Sequence, residues 1–403
     1  MKRPEIEDAA GKVLSCVKKI DETLMLPLGE SAGYILAEDI RAGMDQPPFD
    51  RSPLDGYALI AEDTKGVSVD KPVRLKVIDR IMAGTVSEKT VVPGTAVRLM
   101  TGAPIPYGAD CVVRQEDTDM GRETVSVCTP MEPHDNICDA GEDFQKGDLL
   151  AAEGERLDYL SIAALAGAGV SHVKVYRRLR AAVLTTGDEL CEPGEKLLPG
   201  KIYNSNLAMI NARLKEWNIE IVCCRSAGDD PDTVKRQIED IYDRADLIMT
   251  TGGVSVGEKD IMHDVVDLLG AGKLFGGVAV KPGAPTFAAI YRGKPLICLT
   301  GNPYGVLVNL ELLAGAVMAG MSRDASVGPQ PGEATAANDY RKTGGIRRLV
   351  RASFRNGEVR IPEKGQKSGV ISSMRGCNCL ADIGPECEGV HKGDMLRIWH
   401  LKK

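Results

Sequence analysis

Residue types suited to chemistry are most concentrated in residues 246–260, where an apolar run ends in a loop rich in glycine and hydroxyl side chains. The run predicts a buried parallel strand, and the bare amides of the loop can approach an anion such as phosphate closely. The residues that could contact this anion, and the carboxylates that open the next helix, are Thr250, Thr251, Gly252, Gly253, Ser255, Gly257, Glu258 and Asp260. A carboxylate beside a bound anion favours a cation between the two. A tight turn without a ligand is the alternative.

Two further loops follow predicted strands in the same way. Residues 185–189 follow the first strand of this region, and residues 300–303, which include Gly301, Asn302 and Pro303, follow the last one. Ligands of an open parallel sheet bind beyond the carboxyl ends of its strands, so three such loops predict one binding crevice.

Charged residues near these loops predict what the crevice would bind. Lys281 lies beside a turn stiffened by two prolines and suits a phosphate or another oxyanion, although a solvated turn is the alternative. Glu189, Asp229 and Asp260 could line the same crevice, and carboxylates facing an anion indicate a hard divalent ion such as Mg²⁺. The alternative for Asp229, and for Asp230 beside it, is to cap the helix that follows.

Another dense segment lies in residues 47–58, where Asp50, Ser52 and Asp55 surround an aromatic loop, and residues 99–106 follow it with a second turn-rich stretch. The segment predicts either a pair of turn-rich hairpins or a wall that completes the crevice.

Composition excludes several classes of protein. The chain has 403 residues, of which 43% are hydrophobic, and this length predicts two to four domains. Its net charge of -7, with scattered lysines and arginines, argues against nucleic-acid or anionic-membrane partners. The eleven cysteines form no paired C-x-x-C sets, so reduced thiols are expected, with a metal site at Cys377, Cys379 and Cys387 a weaker alternative. The charged amino terminus and the lack of a membrane-length apolar run predict a cytoplasmic protein.

The order of periodic patterns predicts an α/β multidomain protein. Helices are expected over residues 4–25, just before Asp39 and over residues 159–168, and the two long ones could pack together as one discontinuous helical domain. The predicted division is residues 1–45 with 144–178 as that helical, dimerisation domain, 46–143 as a small β-rich domain, 179–326 as a doubly wound, mostly parallel α/β domain, and 327–403 as an all-β, barrel-like domain. A hairpin is expected over residues 278–290 and a linker over residues 328–332.

Taken together, these segments resemble the molybdopterin molybdenumtransferase family, the MoeA proteins of bacteria and archaea and the E domain of gephyrin. The motifs that carry the resemblance are Phe49-Asp-Arg-Ser-Pro-Leu-Asp-Gly-Tyr-Ala58, Met100-Thr-Gly-Ala-Pro104, Gly141-Glu-Asp143, Thr186-Gly-Asp-Glu-Leu190, Thr251-Gly-Gly-Val-Ser-Val-Gly257, Lys281-Pro-Gly283 and Gly301-Asn-Pro303. They appear in the family's order and span nearly the whole chain, which is far more specific than any single glycine loop.

The resemblance implies molybdenum cofactor biosynthesis: adenylylated molybdopterin is hydrolysed with the help of Mg²⁺, molybdate enters between the dithiolene sulfurs, and AMP leaves. It also implies a homodimer in which the second domain of one subunit faces the sheet of the other, with an adenylyltransferase that supplies the pterin and molybdoenzymes that receive the product as further partners. The positions that match the family's functional residues are Asp55, Thr101, Asp143, Glu189, Asp229, Asp260, Lys281, Pro303 and Ser368. By the same resemblance Thr250, Thr251 and Ser255 would hold pterin or phosphate oxygens, and Asp260 or Glu189 would orient the metal ion or its water.

Three positions depart from the family pattern. Cys138 replaces a usual basic residue, Gly277 replaces a lysine four positions before Lys281, and Thr300 replaces the first proline of Pro-Gly-Asn-Pro. Two missing cations would weaken anion binding a hundredfold or more, as an order of magnitude, unless another cation substitutes. A divergent member that inserts tungstate, or that binds molybdopterin as a carrier or scaffold without turnover, is therefore an alternative. A phosphosugar or nucleotide enzyme that shares only the sheet is a weaker one.

Overall fold

The computed structural model describes residues 3–254, 261–341, 344–370 and 372–401. The chain forms two compact units, and both are discontinuous in sequence. The α/β unit contains Met1–Leu24, Gly33–Ile35 and Val175–Lys403, and the β-rich unit contains Met25–Ala32 and Leu36–Lys174.

A six-stranded sheet forms the centre of the α/β unit. Its strands in chain order are β1 (Arg180–Thr186), β2 (Glu220–Ala227), β3 (Leu247–Thr251), β4 (Gly272–Phe275), β5 (Phe287–Tyr291) and β6 (Lys294–Leu299). Across the sheet the order is β2-β1-β3-β6-β5-β4; the first three pairings are parallel and the last two are antiparallel, so only β5 runs against the other strands. The predicted α/β fold with a mostly parallel sheet is confirmed.

The central strands are apolar because helices cover a parallel sheet on its faces. Every residue of β3 is buried, and so is all of β1 except Arg180. The helices that connect the strands are α1 (Ser205–Glu216), α2 (Pro231–Ile241) and α3 (Met262–Leu268). Asn204 and Asp230 cap the first two, each accepting a hydrogen bond from a backbone amide of the first turn.

One long helical segment follows β6. It consists of α4 (Pro303–Asn309), a π-helical turn (Leu310–Ala314) and α5 (Gly315–Ser322). Among the described residues, only this segment is long and apolar enough to cross a membrane, but 78% of it is buried within the protein, as is usual for a core helix.

The carboxyl-terminal strands of the α/β unit close into a five-stranded barrel. These strands are Gln330–Ala336, Arg347–Arg355, Glu358–Arg360, Cys379–Ile383 and Met395–His400. Each pairs with two others, so the barrel has no free edge among them. The two-residue strand Val280–Lys281 joins the barrel by parallel pairing, which sets Lys281 opposite Arg348.

The β-rich unit contains a five-stranded sheet and one helix. The strands, in their order across the sheet, are Cys111–Arg114, Gly56–Leu59, Thr95–Leu99, Val73–Ile81 and Thr124–Val127. All neighbours are antiparallel except Val73–Ile81 and Thr95–Leu99, which are parallel, although the short alternating runs of this region suit an antiparallel domain. The helix is Tyr159–Gly167.

The remaining elements are short. The strands are Thr23–Pro27, Ile35–Leu36, Ile40–Arg41, Leu149–Ala151, His172–Tyr176, Leu190–Cys191, Ile202–Tyr203, Tyr340–Arg341 and Gly389–Val390. Four 3₁₀ turns occupy Leu28–Glu30, Ala61–Thr64, Gln115–Asp117 and Ser372–Met374.

Several expected elements differ from those observed. The helix expected over residues 4–25 spans only Ile6–Leu14, and its apolar stripe packs into the core of the α/β unit. The helix expected before Asp39 is the 3₁₀ turn Leu28–Glu30. The hairpin expected over residues 278–290 is instead made by β5 and β6, and the second half of the expected linker already belongs to a barrel strand.

Arg347 ties the amino-terminal helix to the barrel. Its guanidinium donates two hydrogen bonds to Asp382, at 2.8 and 2.6 Å, and two to Glu7, at 2.6 and 2.8 Å. Burial alone would raise the pKa of the Glu7 carboxyl, but the bonds and charge of Arg347 more than offset it and hold that pKa below its usual value.

We therefore expect Glu7→Gln to lower the melting temperature at neutral pH by about 2 to 4 °C. This shift corresponds to losing a partly exposed ion pair, Glu7–Arg347, that contributes about 1 kcal/mol to the free energy of unfolding. Because the folded-state pKa is lowered, the contribution of Glu7 is complete above the ordinary glutamate pKa and is lost as the pH falls through the lowered value. Melting curves of the two proteins should thus converge in acid. Asp8→Asn, on the same helix and exposed, is the control, and an equal effect of both substitutions would contradict the assignment.

Candidate functional site

A cavity of about 760 Å³ opens at the carboxyl ends of the parallel strands. Its lining residues are Thr186, Gly187, Glu189, Leu190, Ile202, Tyr203, Asn204, Ser205, Asn206, Asp229, Thr251, Gly252, Gly253, Val254, Pro285, Thr300, Gly301, Asn302, Pro303 and Gly369. All of them except Pro285 and Gly369 come from the segments that follow β1, β2, β3 and β6. The loops that the sequence predicts to share one crevice do so within the α/β unit.

Glycines allow the loops to pack directly on one another. Gly252 has φ +93°, and a Cβ atom there would lie 2.5 Å from the carbonyl oxygen of Thr186. A Cβ atom at Gly301 would lie 3.4 Å from the Cα of Gly252. The Thr186 hydroxyl donates to the carbonyl of Thr251 at 3.3 Å. The floor of the cavity is therefore bare backbone, which a ligand can approach closely.

Among the described residues, two carboxylates face this cavity, and a reciprocal pair of hydrogen bonds fixes their loops. The amide of Asp188 donates to Asp229 Oδ2 at 3.1 Å, and the amide of Asp229 donates to Asp188 Oδ1 at 3.2 Å. Glu189 and Asp229 both line the cavity. Asp230, by contrast, caps α2 through the amide of Thr233, so the capping alternative holds for Asp230 and not for Asp229.

A smaller pocket of about 420 Å³ adjoins the cavity, because Pro285, Thr300 and Asn302 line both. Its other lining residues are Lys281, Pro282, Gly283, Ala284, Tyr304, Tyr340, Arg348, Leu349, Val350, Gln366 and Ser368. Two of these are cationic, and within the part of the chain that the structure describes no carboxylate lines the pocket. The pocket is suited to an anion, and the larger cavity carries the acidic groups.

A buried amide positions the loop that carries Lys281. Asn309, at the end of α4, donates from Nδ2 to the carbonyl of Gly283 at 3.0 Å and to the hydroxyl of Thr286 at 2.9 Å. Gly283 has φ +101°, and a Cβ atom there would lie 2.0 Å from Asn309 Nδ2. Only glycine fits at this contact, so the turn after Lys281 is held against the long helix.

A buried arginine holds the segment that contributes Ser368. Arg351 is 1% exposed and lies 3.9 Å from the ring centroid of Tyr304. Its guanidinium donates to the carbonyl of Lys367 at 2.7 Å and also to the carbonyl of Val370. The amide of Tyr304 donates to the carbonyl of Ser368 at 3.2 Å. Burial lowers the pKa of Arg351, but a guanidinium titrates so far above neutrality that it stays charged beside the pocket.

Of the predicted residues in the β-rich unit, Asp55 and Thr101 form a hydrogen-bonded cluster. Asp55 Oδ1 accepts hydrogen bonds from the amide and the hydroxyl of Thr101, both at 2.8 Å, and these bonds lower the pKa of the Asp55 carboxyl. Asp143 is exposed, and its amide donates to the carbonyl of Gln46 at 2.9 Å. The expected role of this cluster in completing the crevice depends on how the two units are placed, and it stays a prediction.

The other predicted residues fall in three groups. Thr251, Gly252, Gly253, Gly301, Asn302 and Pro303 line the cavity, and Lys281 and Ser368 line the smaller pocket. Thr250 is fully buried in β3 and lines neither space. Ser255 and Asp260 lie outside the described residues. Among described residues there is no cluster of three or more His, Cys, Asp or Glu side chains that could hold a metal ion.

Sequence reasoning missed Asn206, Tyr203, Arg348 and Asn309. Asn206 donates to the carbonyl of Gly301 at 2.8 Å, and Tyr203 lines the cavity with its hydroxyl bonded to the carbonyl of Glu195 at 3.0 Å. Arg348 is one of four arginines of a single barrel strand, and Asn309 is the single amide of the apolar helix α4. Of these four residues, only Asn309 had a recognisable signal in the sequence, because it is a polar residue within an apolar helix.

The structure accounts for two of the three departures from the family pattern. The amide of Thr300 donates to the Thr286 hydroxyl at 3.3 Å, a bond that proline could not make. Gly277 has φ +153°, and a Cβ atom there would lie 2.8 Å from both the carbonyl oxygen of Ala284 and Arg3 Nε, so a lysine would be strained. Cys138 contacts the Glu142 carboxylate, and nothing in the structure explains the loss of a cation there.

Comparison with known proteins covers nearly the whole chain. Residues 5–169 match the family model of the MoeA N-terminal region (domain I and II), residues 182–319 match that of a probable molybdopterin binding domain, and residues 333–401 match that of the MoeA C-terminal region (domain IV). The chain is 35% identical over 378 residues to a protein named molybdopterin molybdenumtransferase from Staphylococcus aureus (strain COL), covering 93% of this chain and 90% of that protein. It is 36% identical over 380 residues to the protein of the same name from Staphylococcus epidermidis (strain ATCC 12228), covering 94% and 91%.

Solved structures agree with these matches. The crystal structure of a molybdopterin biosynthesis MoeA protein from Pyrococcus horikoshii OT3 has a TM-score of 0.82 and 28% identity, and the alignment covers 99% of this chain and 100% of that one. A second MoeA structure from Pyrococcus has a TM-score of 0.85 and 30% identity, with complete coverage of both chains.

The contact between Gly283 and Asn309 generates a test of how the Lys281 loop is held. We expect Gly283→Ala to destabilise the protein by more than about 1 kcal/mol, because it adds a steric clash to a strained positive φ. Gly293→Ala is the matched control, since Gly293 also has a positive φ, +85°, but nothing lies within 4 Å of the added Cβ atom. Thermal melting should show the larger loss for Gly283→Ala, and equal losses would mean that Asn309 does not fix the loop.

Proposed function

Since the chain belongs to the MoeA family of molybdopterin molybdenumtransferases and acts in molybdenum cofactor biosynthesis, we propose that it inserts molybdate into adenylylated molybdopterin with magnesium-assisted release of AMP. The observation that carries the proposal is the joining of an acidic cavity to a cationic pocket through Thr300 and Asn302. The reaction needs two such spaces side by side, one for a pterin with a pyrophosphate arm and one for a tetrahedral oxyanion.

The larger cavity suits the adenylylated pterin. Its volume of about 760 Å³ lies within the range of roughly 300 to 1,000 Å³ that is typical of small-molecule sites. The Gly253 amide can donate to phosphate oxygens, whereas the Gly252 amide donates to the carbonyl of Leu299 at 3.2 Å. Thr251 and Asn206 add side-chain polar groups. Leu190, Ile202 and Tyr203 supply an apolar wall on which a flat ring can pack.

The smaller pocket suits molybdate, which is a dianion. Lys281 and Arg348 provide positive charge in a space whose described lining has no carboxylate, and Ser368 and Tyr340 provide hydroxyl donors. The acidic net charge of the protein makes this local potential necessary, because the chain as a whole does not attract anions. Since Asn302 and Thr300 line both spaces, an oxyanion in the pocket would lie next to a pterin in the cavity.

The donor set of the cavity fits Mg²⁺. Glu189 and Asp229 offer hard carboxylate oxygens, and this ion commonly takes one or two carboxylates together with substrate phosphates and waters. When bound, it would neutralise charge on the pyrophosphate. The Asp188 amide holds Asp229 through Oδ2, and the remaining oxygens of the two carboxylates can orient the attacking water and accept its proton.

We also propose a homodimer that uses the helix Tyr159–Gly167. Eight of its nine residues are not buried although most are apolar, and Tyr159 and Leu160 are 77% and 61% exposed. A contiguous apolar surface of this kind is typical of a protein interface. The adenylyltransferase that supplies the pterin, the molybdoenzymes that receive the product and a cytoplasmic location belong to the same proposal.

Activity can be tested by incubating the purified protein with adenylylated molybdopterin, Mg²⁺ and molybdate or tungstate. We expect molybdate-stimulated AMP release, which should fall by at least tenfold in Asp229→Asn and in Lys281→Ala because each loses a charged contact worth about 1.5 to 3 kcal/mol. Glu195→Gln, which does not line either space, is the control. Tight pterin binding without AMP release from the unaltered protein would instead support the carrier alternative and refute turnover.

The homodimer can be tested by analytical ultracentrifugation. We expect Leu160→Glu to shift the protein from dimer to monomer, because the substitution places a charge at the centre of an apolar contact. Val69→Glu adds the same charge at a residue that is 83% exposed, outside the helix, and should leave the mass unchanged. Dimers that persist in Leu160→Glu, or a monomeric unaltered protein, would remove this helix as the interface.

A further inference from the structure

A chain of side-chain hydrogen bonds runs along one wall of the larger cavity, and Asn204 is its centre. Asn204 is 1% exposed and lines the cavity. Its Nδ2 atom donates to the hydroxyl of Thr185 at 2.7 Å and to that of Ser226 at 2.9 Å. The Thr185 hydroxyl donates to the Ser226 hydroxyl at 3.2 Å. The Ser226 hydroxyl in turn donates at 2.5 Å to Glu192 Oε1, which also lies 3.5 Å from Asn204 Nδ2.

The helix cap fixes the direction of this chain. Asn204 is the N-cap of α1, and its Oδ1 atom accepts a hydrogen bond from the amide of Leu207 at 3.1 Å. Because the amide oxygen faces the helix, the NH₂ group faces the two hydroxyls, and both of its hydrogens are used there. Each hydroxyl therefore donates its own hydrogen outward, and the chain ends on a carboxylate, which is a strong acceptor.

Asn204 also holds residues 188–192, which we call the Glu189 segment. The amide of Asn204 donates to the carbonyl of Cys191 at 2.9 Å. A Cβ atom at Gly187 would lie 2.6 Å from Glu189 Oε2, so this carboxylate lies directly over the backbone that precedes it. The position of the Glu189 carboxylate therefore follows from how its segment is held.

The Glu189 segment is attached at two points to the chain that carries Asp229. The first point is the reciprocal pair of bonds between Asp188 and Asp229, at 3.1 and 3.2 Å. The second is the bond from Ser226 to Glu192, and the donors of Asn204 set its direction. One attachment leaves a segment free to turn about it, whereas two attachments fix its orientation.

We propose that Asn204 is a positioning residue of the site, because its hydrogen bonds hold the Glu189 segment against the end of β2 and so set how Glu189 and Asp229 face one ligand. The inference rests on the proposed function and adds a residue that acts through these two carboxylates. A displacement of about 1 Å in a positioned group can lower a rate about a hundredfold, so a residue behind the carboxylates can affect turnover strongly.

Ser226→Ala tests the second attachment without touching the helix cap. Ser226 is exposed, so we expect little change in melting temperature. Hydrogen exchange of the full-length protein, measured without ligand, should become about tenfold faster at the amides of Asp188 and Asp229, while α1 stays protected. Asn204→Ser should give the same change, because serine caps a helix as well as asparagine does but cannot donate to two hydroxyls.

The kinetics of AMP release separate positioning from a general loss of structure. In both variants we expect kcat to fall by at least about tenfold with little change in the KM for adenylylated molybdopterin, because the backbone and apolar wall of the cavity are unaltered. Asn204 and Ser226 act in one chain, so the double variant should lose no more than the more affected single variant. Additive losses, or a rise in KM without a fall in kcat, would contradict the proposal.

Ser87→Ala is the matched control, because it removes a bond of the same kind, from a serine hydroxyl to Asp79 Oδ2 at 2.7 Å, in the β-rich unit. It should change neither the exchange at Asp188 and Asp229 nor kcat. Melting temperatures of all variants identify a folding defect, and Ser226→Ala, the milder change, keeps the test valid if Asn204→Ser unfolds. Unchanged exchange at both amides in Ser226→Ala, or an equal change in Ser87→Ala, would overturn the proposal.

The failure of the proposed function has a different signature. If exchange accelerates as expected but the unaltered protein never releases AMP, the attachment of the Glu189 segment by Asn204 stands and the transferase activity does not. If the unaltered protein releases AMP and Ser226→Ala keeps its full kcat despite faster exchange, the function stands and the positioning role is wrong.

Discussion

The candidate site depends on the two-residue strand Val280–Lys281. This strand belongs in sequence to the α/β domain, yet it forms its hydrogen bonds with the barrel. Through it, the loops at the end of the sheet and the cationic strand Arg347–Arg355 come to lie around one space. That parallel pairing sets Lys281 opposite Arg348, and without it Lys281 would be a lone cation on a turn. A very short element therefore determines the electrostatics of the whole pocket.

Opposite charges are kept in neighbouring compartments rather than mixed. Glu189 and Asp229 line the large cavity, and Lys281 and Arg348 line the small pocket. Direct ion pairs between the two sets would neutralise both and leave neither metal nor oxyanion with a charged partner. Thr300 and Asn302 lie between the compartments and are uncharged, so they separate the groups while allowing two ligands to meet. Where the sequence predicts one crevice, the structure has two adjoining spaces of opposite charge.

Much of this arrangement could be predicted from sequence. The alternation of strand and helix patterns along the chain predicted the sheet. Because the carboxyl ends of parallel strands share one edge, it also predicted that the loops converge. What could not be predicted depends on long-range register. Nothing in the barrel sequence indicates that Arg348 rather than Arg347 faces Lys281, since that follows from which residues pair across strands nearly seventy positions apart. The predicted amino-terminal helix was too long for a related reason. Its observed length depends on the core residues that Ile6 to Val13 pack against.

Thr300 illustrates how a family motif can drift without losing its geometry. Its Cγ2 atom lies 2.5 Å from the place where a Cβ atom at Gly305 would stand, and its amide bonds to Thr286, which in turn bonds to Asn309. Positions 286, 300, 305 and 309 are thereby mutually dependent: the effect of changing one is set by the identity of the others. Proline at position 300 would remove the amide that donates to the Thr286 hydroxyl, and Asn309 alone would then donate to that hydroxyl. We therefore expect substitutions at these four positions to occur together rather than one at a time.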